Sequence, residues 1–171
     1  MQLNLREIYG SGHAVHLSGS IDMVDFIQSH PNLKHASPAK AEVQAAAEFD
    51  TVTVNGHVEC SLELICSRCL TEFHSSLGFD FEELFTNKAQ SEVDKEEDEE
   101  NFVNVVTEDR IDLVPYIEEH ILLELPQFPI CDNHCKGLCP SCGCNRNTET
   151  CQCNLESTDP RWNGLKDLFQ Q

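Results

Sequence analysis

Alternating apolar and polar residues dominate the first half of the chain and predict β-strands. The segment TVTVNGHVECSLELICSRC keeps an apolar side chain at every second position on both sides of Asn55-Gly56. After that pair, one face of the run carries Val58, Cys60, Leu62 and Leu64. We therefore predict that Cys60 belongs to the core. Asn-Gly is typical of a type I′ hairpin turn, because both central residues of that turn need positive φ, so the pattern predicts a hairpin that turns at Asn55-Gly56.

The other elements are shorter and of mixed type. A second alternating run, FHSSLGFDFEELF, predicts another strand, and SIDMVDFIQSH predicts a short helix. The segment SPAKAEVQAAAEF fits either a helix or a strand. Near the end of the chain, DPRWNGLKDLF has Asp159 as an N-cap and Pro160 at the first helical position, which predicts a terminal helix.

Helical spacing is clearest in residues 109–125, DRIDLVPYIEEHILLEL. The apolar stripe of this segment consists of Ile117, Ile121, Leu122 and Leu125. Pro115 lies near the predicted start, where proline is tolerated. We expect the stripe to pack against the core. Glu118 and Glu119 beside His120 would fit acid–base chemistry or a metal site, but a charged pair on an amphipathic helix usually forms its solvated face.

Together these elements predict an α+β protein with three parts. Residues 1–88 form a β-rich domain, a small antiparallel and barrel-like sheet with a few short helices. Residues 89–108 form an acidic, mobile loop, because seven of the ten residues from Ser91 to Glu100 are acidic and like charges without apolar residues do not pack. Residues 109–171 carry the predicted helix, a Cys-rich zinc-knuckle module and the terminal helix.

Net charge changes the choice of partner. The chain has a formal net charge of -19, from 11 Lys and Arg against 30 Asp and Glu. Affinity for nucleic acid comes largely from cations that neutralise phosphates, so a broad RNA- or DNA-binding surface is excluded and a basic protein partner is favoured. The predicted contact is the acidic run Glu96, Glu97, Asp98, Glu99 and Glu100. A solvated linker is the alternative for the same residues.

No secretory or membrane signal is visible in the sequence. The first residues, MQLNLREIYGSGHAVHL, lack a cationic start followed by an apolar run, and no window approaches the length of a membrane span. We therefore expect a cytoplasmic protein without membrane contact. In a reducing compartment the ten cysteines are thiols or metal ligands rather than disulfides.

Eight of the ten cysteines fall into four close pairs. Cys139, Cys142, Cys151 and Cys153 have the spacing C-x₂-C-x₈-C-x-C, which predicts a self-contained tetrahedral metal site. Gly143 allows the backbone to fold back so that amides face the sulfur atoms. Zinc is favoured over an iron–sulfur cluster, because the segment offers no apolar cover for a redox cluster.

A second site would need pairs from distant parts of the chain. Cys66 and Cys69 form a knuckle at the end of a strand, and Cys131 and Cys135 are the remaining close pair. Together they predict a second Cys₄ site that ties the sheet to the C-terminal module. The expected cofactor is therefore Zn²⁺, with one or two ions per chain.

Alternatives remain for the same cysteines. One or both pairs of the second site could be reduced thiols, or His134 could replace a cysteine there, and Cys144 is left over. A C-x-x-C thiol oxidoreductase is a further alternative, but that chemistry needs the motif at a helix N-terminus within a βαβ unit, and Cys66 ends a β run. No P-loop, GxSxG or Rossmann motif is present, so we expect no enzymatic activity.

The order and spacing of several motifs resemble one family. CSRCL follows the predicted β-hairpin and an acidic gap comes later. EDRIDLVPYIEEHILLELPQFPIC, CKGLCPSCGCNRN, CQC and DPRWNGLKDL complete the series. From about Val52 to Leu168 the chain resembles the YceD family, the large ribosomal RNA subunit accumulation proteins. CGCN stands where the common spelling of the family is CGAN, so Cys144 is not expected to be a ligand.

This resemblance implies a non-enzymatic role in making or stabilising 23S rRNA during assembly of the large ribosomal subunit, in bacteria or in the chloroplast stroma of plants. The acidic charge leads us to expect that the protein binds a basic ribosomal protein or assembly factor and contacts rRNA indirectly. The Cys-rich segment is nearly neutral, so Lys136, Arg146 and the nearby Arg161 are candidate local RNA contacts. A zinc-stabilised regulatory adaptor unrelated to ribosomes is the alternative function.

Overall fold

The computed structural model describes residues 1–87 and 103–153 of the chain. Within these residues the chain forms mostly strands and a few short helices, which confirms the predicted α+β class. The elements in chain order are β1 (Gln2–Asn4), α1 (Leu5–Ser11), β2 (Val15–Ile21), α2 (Val24–Ser29), β3 (Leu33–Ala36), β4 (Ala39–Glu48), β5 (Thr51–Ile65), β6 (Glu72–Thr86), β7 (Val103–Val105), β8 (Arg110–Asp112) and α3 (Val114–Glu124). Most of the predicted acidic loop and the predicted terminal helix lie outside the described residues.

A main sheet organises the fold. Its strands lie in the order β2-β4-β5-β6-β7, and within the described residues the short β7 is the member that runs parallel to its neighbour. Strand β3 pairs with the last residues of β5, beyond the first residues of the antiparallel β4. Strands β1 and β8 form a separate antiparallel pair, which joins the first residues of the chain to the segment that leads into α3.

One face of the main sheet is buried and the other is exposed to solvent. Every second residue of β5 from Val52 to Leu64 is buried, including Cys60 as predicted, and the residues between them are exposed or partly exposed. An antiparallel sheet with one covered face requires this alternation. Helix α3 contributes Ile117 and Ile121 to the same core, and burial of such a side chain stabilises the fold by about 1.5–3 kcal/mol.

The predicted hairpin turn at Asn55-Gly56 is wrong. Both residues lie in the middle of the 15-residue β5, with β4 paired on one side and β6 on the other. The two hydrogen-bonded ladders outweigh the local preference of Asn-Gly for a turn. The sheet needs Gly56 for space instead, because a Cβ atom there would lie 2.2 Å from Cε1 of Phe81. The chain reverses between β4 and β5 at Phe49-Asp50, where Phe49 has a φ of 52°.

The apolar stripe predicted for residues 109–125 is correct in three of its four members. Ile117, Ile121 and Leu125 are buried, but Leu122 is 51% exposed. Successive residues point about 100° apart around a helix, so Leu122 faces away from the sheet when Ile121 faces it. Strand β8 occupies the first part of the predicted helix, and α3 carries its proline in the first turn as expected.

The segment that fitted either a helix or a strand is strand β4. Its small apolar side chains alternate into the core at Ala39, Ala41, Val43 and Ala45. This period of two matches the pairing of β4 with β5 along almost its whole length. The longest helix in the parts of the chain that the structure describes is α3, and none there is long and apolar enough to cross a membrane.

Candidate metal centres

The first cysteine knuckle forms the turn between the two longest strands. Strand β5 ends at Ile65 and β6 begins at Glu72. Between them the Cys66 N–H donates to Thr71 O at 3.0 Å, and the Leu70 N–H donates to Cys66 O at 2.9 Å. Leu70 takes a positive φ of 57°. The C-x-x-C motif therefore closes the β5–β6 hairpin, which the sequence pattern did not reveal.

Backbone hydrogen bonds hold the second cysteine pair against this turn. The Ser67 N–H donates to Pro129 O at 2.8 Å, and the Leu138 N–H donates to Arg68 O at 2.9 Å. Gly137 passes so close that a Cβ atom would lie 3.0 Å from the carbonyl oxygen of Arg68, and its φ of 70° also favours glycine. These contacts place the segment that contains the second pair over the knuckle.

Four sulfur atoms meet at this place, which we call the joining site: those of Cys66, Cys69, Cys131 and Cys135. All four Sγ atoms lie within 4.8 Å of one another, with 3.8 Å between Cys66 and Cys135 and 3.6 Å between Cys69 and Cys131. A tetrahedral ion with metal–sulfur bonds of about 2.3 Å needs sulfur atoms about 3.8 Å apart. A disulfide holds them at about 2.05 Å, so the geometry fits a metal ion.

The remaining paired cysteines form a second group, which we call the module site: Cys139, Cys142, Cys151 and Cys153. The Sγ atom of Cys151 lies 3.6 Å from that of Cys142 and 3.3 Å from that of Cys139. Gly143 has a φ of 76°, and its N–H donates to Cys139 O at 2.8 Å. This glycine folds the knuckle back as predicted, and the group has the size required for one metal ion.

Cys144 and His134 lie outside both groups. The carbonyl oxygen of Cys144 accepts the N–H of Cys139 at 2.9 Å, but its thiol is not a member of the module site. His134 is exposed, and its backbone N–H donates to Oδ1 of Asp132 at 2.7 Å. The fourth sulfur atom of the joining site comes from Cys135, so the arrangement leaves no place for His134 as a ligand.

Protonation differs among the thiols of each group. Burial opposes ionisation of Cys66, but the surrounding backbone N–H groups outweigh it and lower the pKa to about 6. Burial and the neighbouring thiols raise the pKa of Cys131 to about 12. In the module site, backbone N–H groups lower the pKa of Cys139 to about 6 and neighbouring thiols raise that of Cys153 to about 12. A metal ion that binds either group must therefore displace the protons that Cys131 and Cys153 hold at neutral pH.

Polar side chains that the sequence analysis missed support the joining site. Nδ2 of Asn147 donates to Sγ of Cys135 at 3.3 Å, and Oγ1 of Thr71 lies 3.3 Å from Sγ of Cys69. Nδ2 of Asn145 in turn donates to Oγ1 of Thr71 at 3.2 Å. Partners of this kind orient metal ligands and favour thiolates. Their only signal in the sequence is their position within a few residues of the cysteine motifs.

Three exposed cations lie close together along the backbone of this region. Lys136 and Arg146 are neighbours because the Arg146 N–H donates to the carbonyl oxygen of the residue after Lys136 at 3.0 Å. Arg68, which the sequence analysis did not select, joins them, and its Nη1 donates to the carbonyl oxygen of Cys135 at 3.2 Å. None of the three takes part in an ion pair within the described residues. Arg161 lies outside them.

The chain is similar in sequence to a known protein family and to several individual proteins. The family described as large ribosomal RNA subunit accumulation protein YceD matches residues 54–169. An Arabidopsis thaliana protein named large ribosomal RNA subunit accumulation protein YCED homolog 1, chloroplastic, is 28% identical over 159 residues, which cover 79% of this chain and 50% of that protein. No solved structure shows a significant match to the chain.

Two bacterial relatives extend the comparison. An uncharacterized protein of Mycobacterium tuberculosis (strain H37Rv) is 33% identical over 128 residues, which cover 75% of this chain. The chain spans 60% of the length of that protein. The uncharacterized protein YlbN of Bacillus subtilis (strain 168) is 24% identical over 153 residues, which cover 89% of this chain and 86% of that protein.

The family match includes the parts of the molecule that hold both cysteine groups. It begins within β5, continues through the first knuckle and α3, and covers all eight clustered cysteines. It extends over more than half of the chain, and the motifs that carried the resemblance in the sequence lie almost entirely within it. The chain belongs to the YceD family of large ribosomal RNA subunit accumulation proteins.

Proposed function

We propose that the protein supports accumulation of 23S rRNA and assembly of the large ribosomal subunit by binding other molecules, without catalysing a reaction. Family membership is the observation that carries this proposal. The two cysteine groups support its non-enzymatic part, because four sulfur ligands would fill every position of a tetrahedral ion. A catalytic zinc ion instead keeps one position open for water or substrate.

We further propose Zn²⁺ as the ion of both the joining site and the module site. Thiolate ligands in a tetrahedral arrangement are typical of structural zinc. Within residues 126–153 regular structure is limited to one isolated bridge, between Leu138 and Asn145. Such a segment has little backbone pairing of its own, so bound ions would supply the cross-links that fold it.

The partner that we propose is a basic ribosomal protein or large-subunit assembly factor. The net charge of -19 favours attraction to such a protein and opposes contact with phosphate groups. We assign the contact to Glu96, Glu97, Asp98, Glu99 and Glu100, which lie outside the described residues. Contact with rRNA would then be indirect, except near the three exposed cations of the Cys-rich region.

Deletion of the gene is expected to lower the ratio of mature 23S rRNA to 16S rRNA and the ratio of large to small subunits in sucrose gradients. The wild-type gene should restore both ratios. A variant with all five residues from Glu96 to Glu100 changed to Gln or Asn should fail to do so, because it loses the proposed attraction to the basic partner. Unchanged ratios after deletion would refute the proposed function, and full rescue by the variant would refute only the acidic contact.

The three exposed cations lead to a prediction about RNA. The triple variant Arg68→Gln/Lys136→Gln/Arg146→Gln should bind a large-subunit rRNA fragment about tenfold more weakly, and the slope of log affinity against log salt should fall by about two to three. The control is Arg6→Gln/Lys34→Gln/Lys40→Gln, which removes the same charge from cations that pair with carboxylates. Filter binding at several salt concentrations measures both. Equal losses in the two variants would show that the chain has no local RNA contact at the Cys-rich region.

A further inference from the structure

An open groove of about 460 Å³ lies between helices α2 and α3, away from both cysteine groups. Its lining on the α2 side consists of Asp22, Asp25, Phe26 and Ser29, and on the α3 side of Pro115, Glu118, Glu119 and Leu122. The four residues on the α3 side have the spacing i, i+3, i+4, i+7, which places them on one face of that helix. On the other side, Asp22 precedes α2, and Asp25, Phe26 and Ser29 lie within it. The groove is therefore formed by the segment of residues 22–29 and one face of α3.

The floor of the groove is apolar. Phe26 packs in the core with 9% of its surface exposed, and Leu122 remains 51% exposed although Ile121 beside it is fully buried. Leu122 belonged to the predicted core stripe, and the described residues do not cover it. An apolar side chain of a binding partner would find an uncovered contact there.

The rim of the groove is acidic. Carboxylates of Asp22 and Asp25 lie on one side, and those of Glu118 and Glu119 lie on the other. None of the four forms an ion pair within the described residues, and no Lys or Arg lines the groove. Four carboxylates without cations repel phosphate groups and attract Lys and Arg. This charge selects a basic protein segment over RNA as the occupant.

We propose that this groove binds a short basic amphipathic segment of a protein partner. An apolar side chain of that segment contacts Phe26 and Leu122, and its Lys or Arg residues face the carboxylates of the rim. This is the helix-in-groove mode, in which one apolar face supplies affinity and the surrounding charges supply specificity. The inference rests on the proposed function for the nature of the partner, a basic protein, and assigns to that partner a second contact on the folded part of the chain.

The test uses the full chain and a labelled synthetic peptide with leucine on one helical face and lysine elsewhere. Fluorescence anisotropy should show saturable binding, and Leu122→Asp should weaken it about tenfold or more. The matched control is Leu123→Asp, because Leu123 is even more exposed, at 73%, but does not line the groove. The double variant Asp25→Asn/Glu119→Gln should weaken binding severalfold and reduce its dependence on salt.

Several outcomes would overturn the proposal. Equal effects of Leu122→Asp and Leu123→Asp, or equal binding of a peptide with glutamine in place of leucine, would reduce the interaction to unspecific charge attraction. Loss of a concentration-dependent dimer in Leu122→Asp during sedimentation would make a second copy of the chain the occupant. Tighter peptide binding by Trp162→Ala would assign the groove to the C-terminal segment of the chain itself.

The same variants separate this inference from the proposed function. If Leu122→Asp fully restores the rRNA ratios in the deletion strain, the groove is not the partner contact while the proposed function stands. If deletion leaves those ratios unchanged, the proposed function fails, and specific peptide binding at the groove would then identify a partner outside ribosome assembly.

Discussion

Replacing Cys66 and Cys69 by serine is expected to reduce the metal content of the purified chain from two ions to one and to detach the Cys-rich segment from the sheet. The joining site links residues that are 62 and 69 positions apart in the sequence. A ligand present at about 1,000 times its Kd stabilises a fold by about 4 kcal/mol. Loss of that contribution should lower the Tm of a chain of this size by about 8–16 °C.

The structure supplies matched controls for this prediction. Cys139→Ser/Cys142→Ser should also remove one ion, but it acts on a group confined to residues 139–153. Only the joining-site variant should therefore increase hydrogen exchange at the amides of Ser67 and Leu138, which bond across the two parts of the chain. Cys144→Ser should keep both ions, because its thiol belongs to neither group.

Metal analysis together with thiol labelling distinguishes structural metal sites from a thiol oxidoreductase. If the purified wild-type chain holds no metal and Cys66 reacts rapidly with a thiol reagent, structural metal sites are refuted. The lowered pKa of Cys66, about 6, would then favour thiol–disulfide exchange. If two ions are bound, all eight paired thiols should react only after a chelator removes the metal. Removal of the metal should also lower the Tm.

Replacing Gly56 by alanine is expected to destabilise the fold by about 3 kcal/mol, at the upper end of the usual effect of overpacking. The added Cβ atom would lie 2.2 Å from Cε1 and 2.3 Å from Cζ of Phe81. That ring is buried and stacks on His120, with 4.9 Å between the ring centroids. His120 is also held by Oε1 of Glu83 at 2.8 Å, so the Phe81 ring has little freedom to move aside.

Thermal unfolding measures this effect, with an expected fall in Tm of about 6–12 °C. Gly78→Ala is the matched control, because the nearest atom to its added Cβ would be at an ordinary 3.9 Å, and it should change the Tm little. In the background Phe81→Leu, Gly56→Ala should cost much less, since the clashing ring atoms are gone. If Gly56→Ala lowers the Tm equally in both backgrounds, the ring of Phe81 is not the reason that position 56 requires glycine.

Gly56 was predicted to lie in a turn but lies within a strand, so a local sequence pattern can predict the wrong backbone conformation. The alternation in residues 51–65 was sufficient to predict a strand and the burial of Cys60, because side-chain period depends only on the backbone of that strand. The turn preference of Asn55-Gly56 is also local, but pairing with strands on both sides outweighs it. At the actual turn, the carbonyl oxygen of Asp50 accepts hydrogen bonds from the distant hydroxyls of Tyr9 and Thr86, which no local pattern contains.

For the cysteine groups, in contrast, the local sequence pattern predicted the correct residues. Ligand chemistry restricts a tetrahedral thiolate site to four sulfur atoms. Spacing therefore predicted the module site directly and the joining site with alternatives left open, and the structure brings together the same eight residues. Spacing could not reveal that the first knuckle is the β5–β6 turn. It also could not reveal Asn147, Thr71 or Arg68, because hydrogen bonds from noncovalent neighbours depend on how distant segments pack.

The sequence by itself therefore determined the properties that depend on near neighbours along the chain and on composition: strand periodicity, the positions of the thiols, the acidic charge and the family motifs. Tertiary structure alone decided which turn signal is used, why Gly56 needs space, and that Leu122 faces a groove between α2 and α3 rather than the core. The physical reason is that these outcomes depend on contacts between residues far apart in the chain, whose combined free energy exceeds local preferences of about 1 kcal/mol.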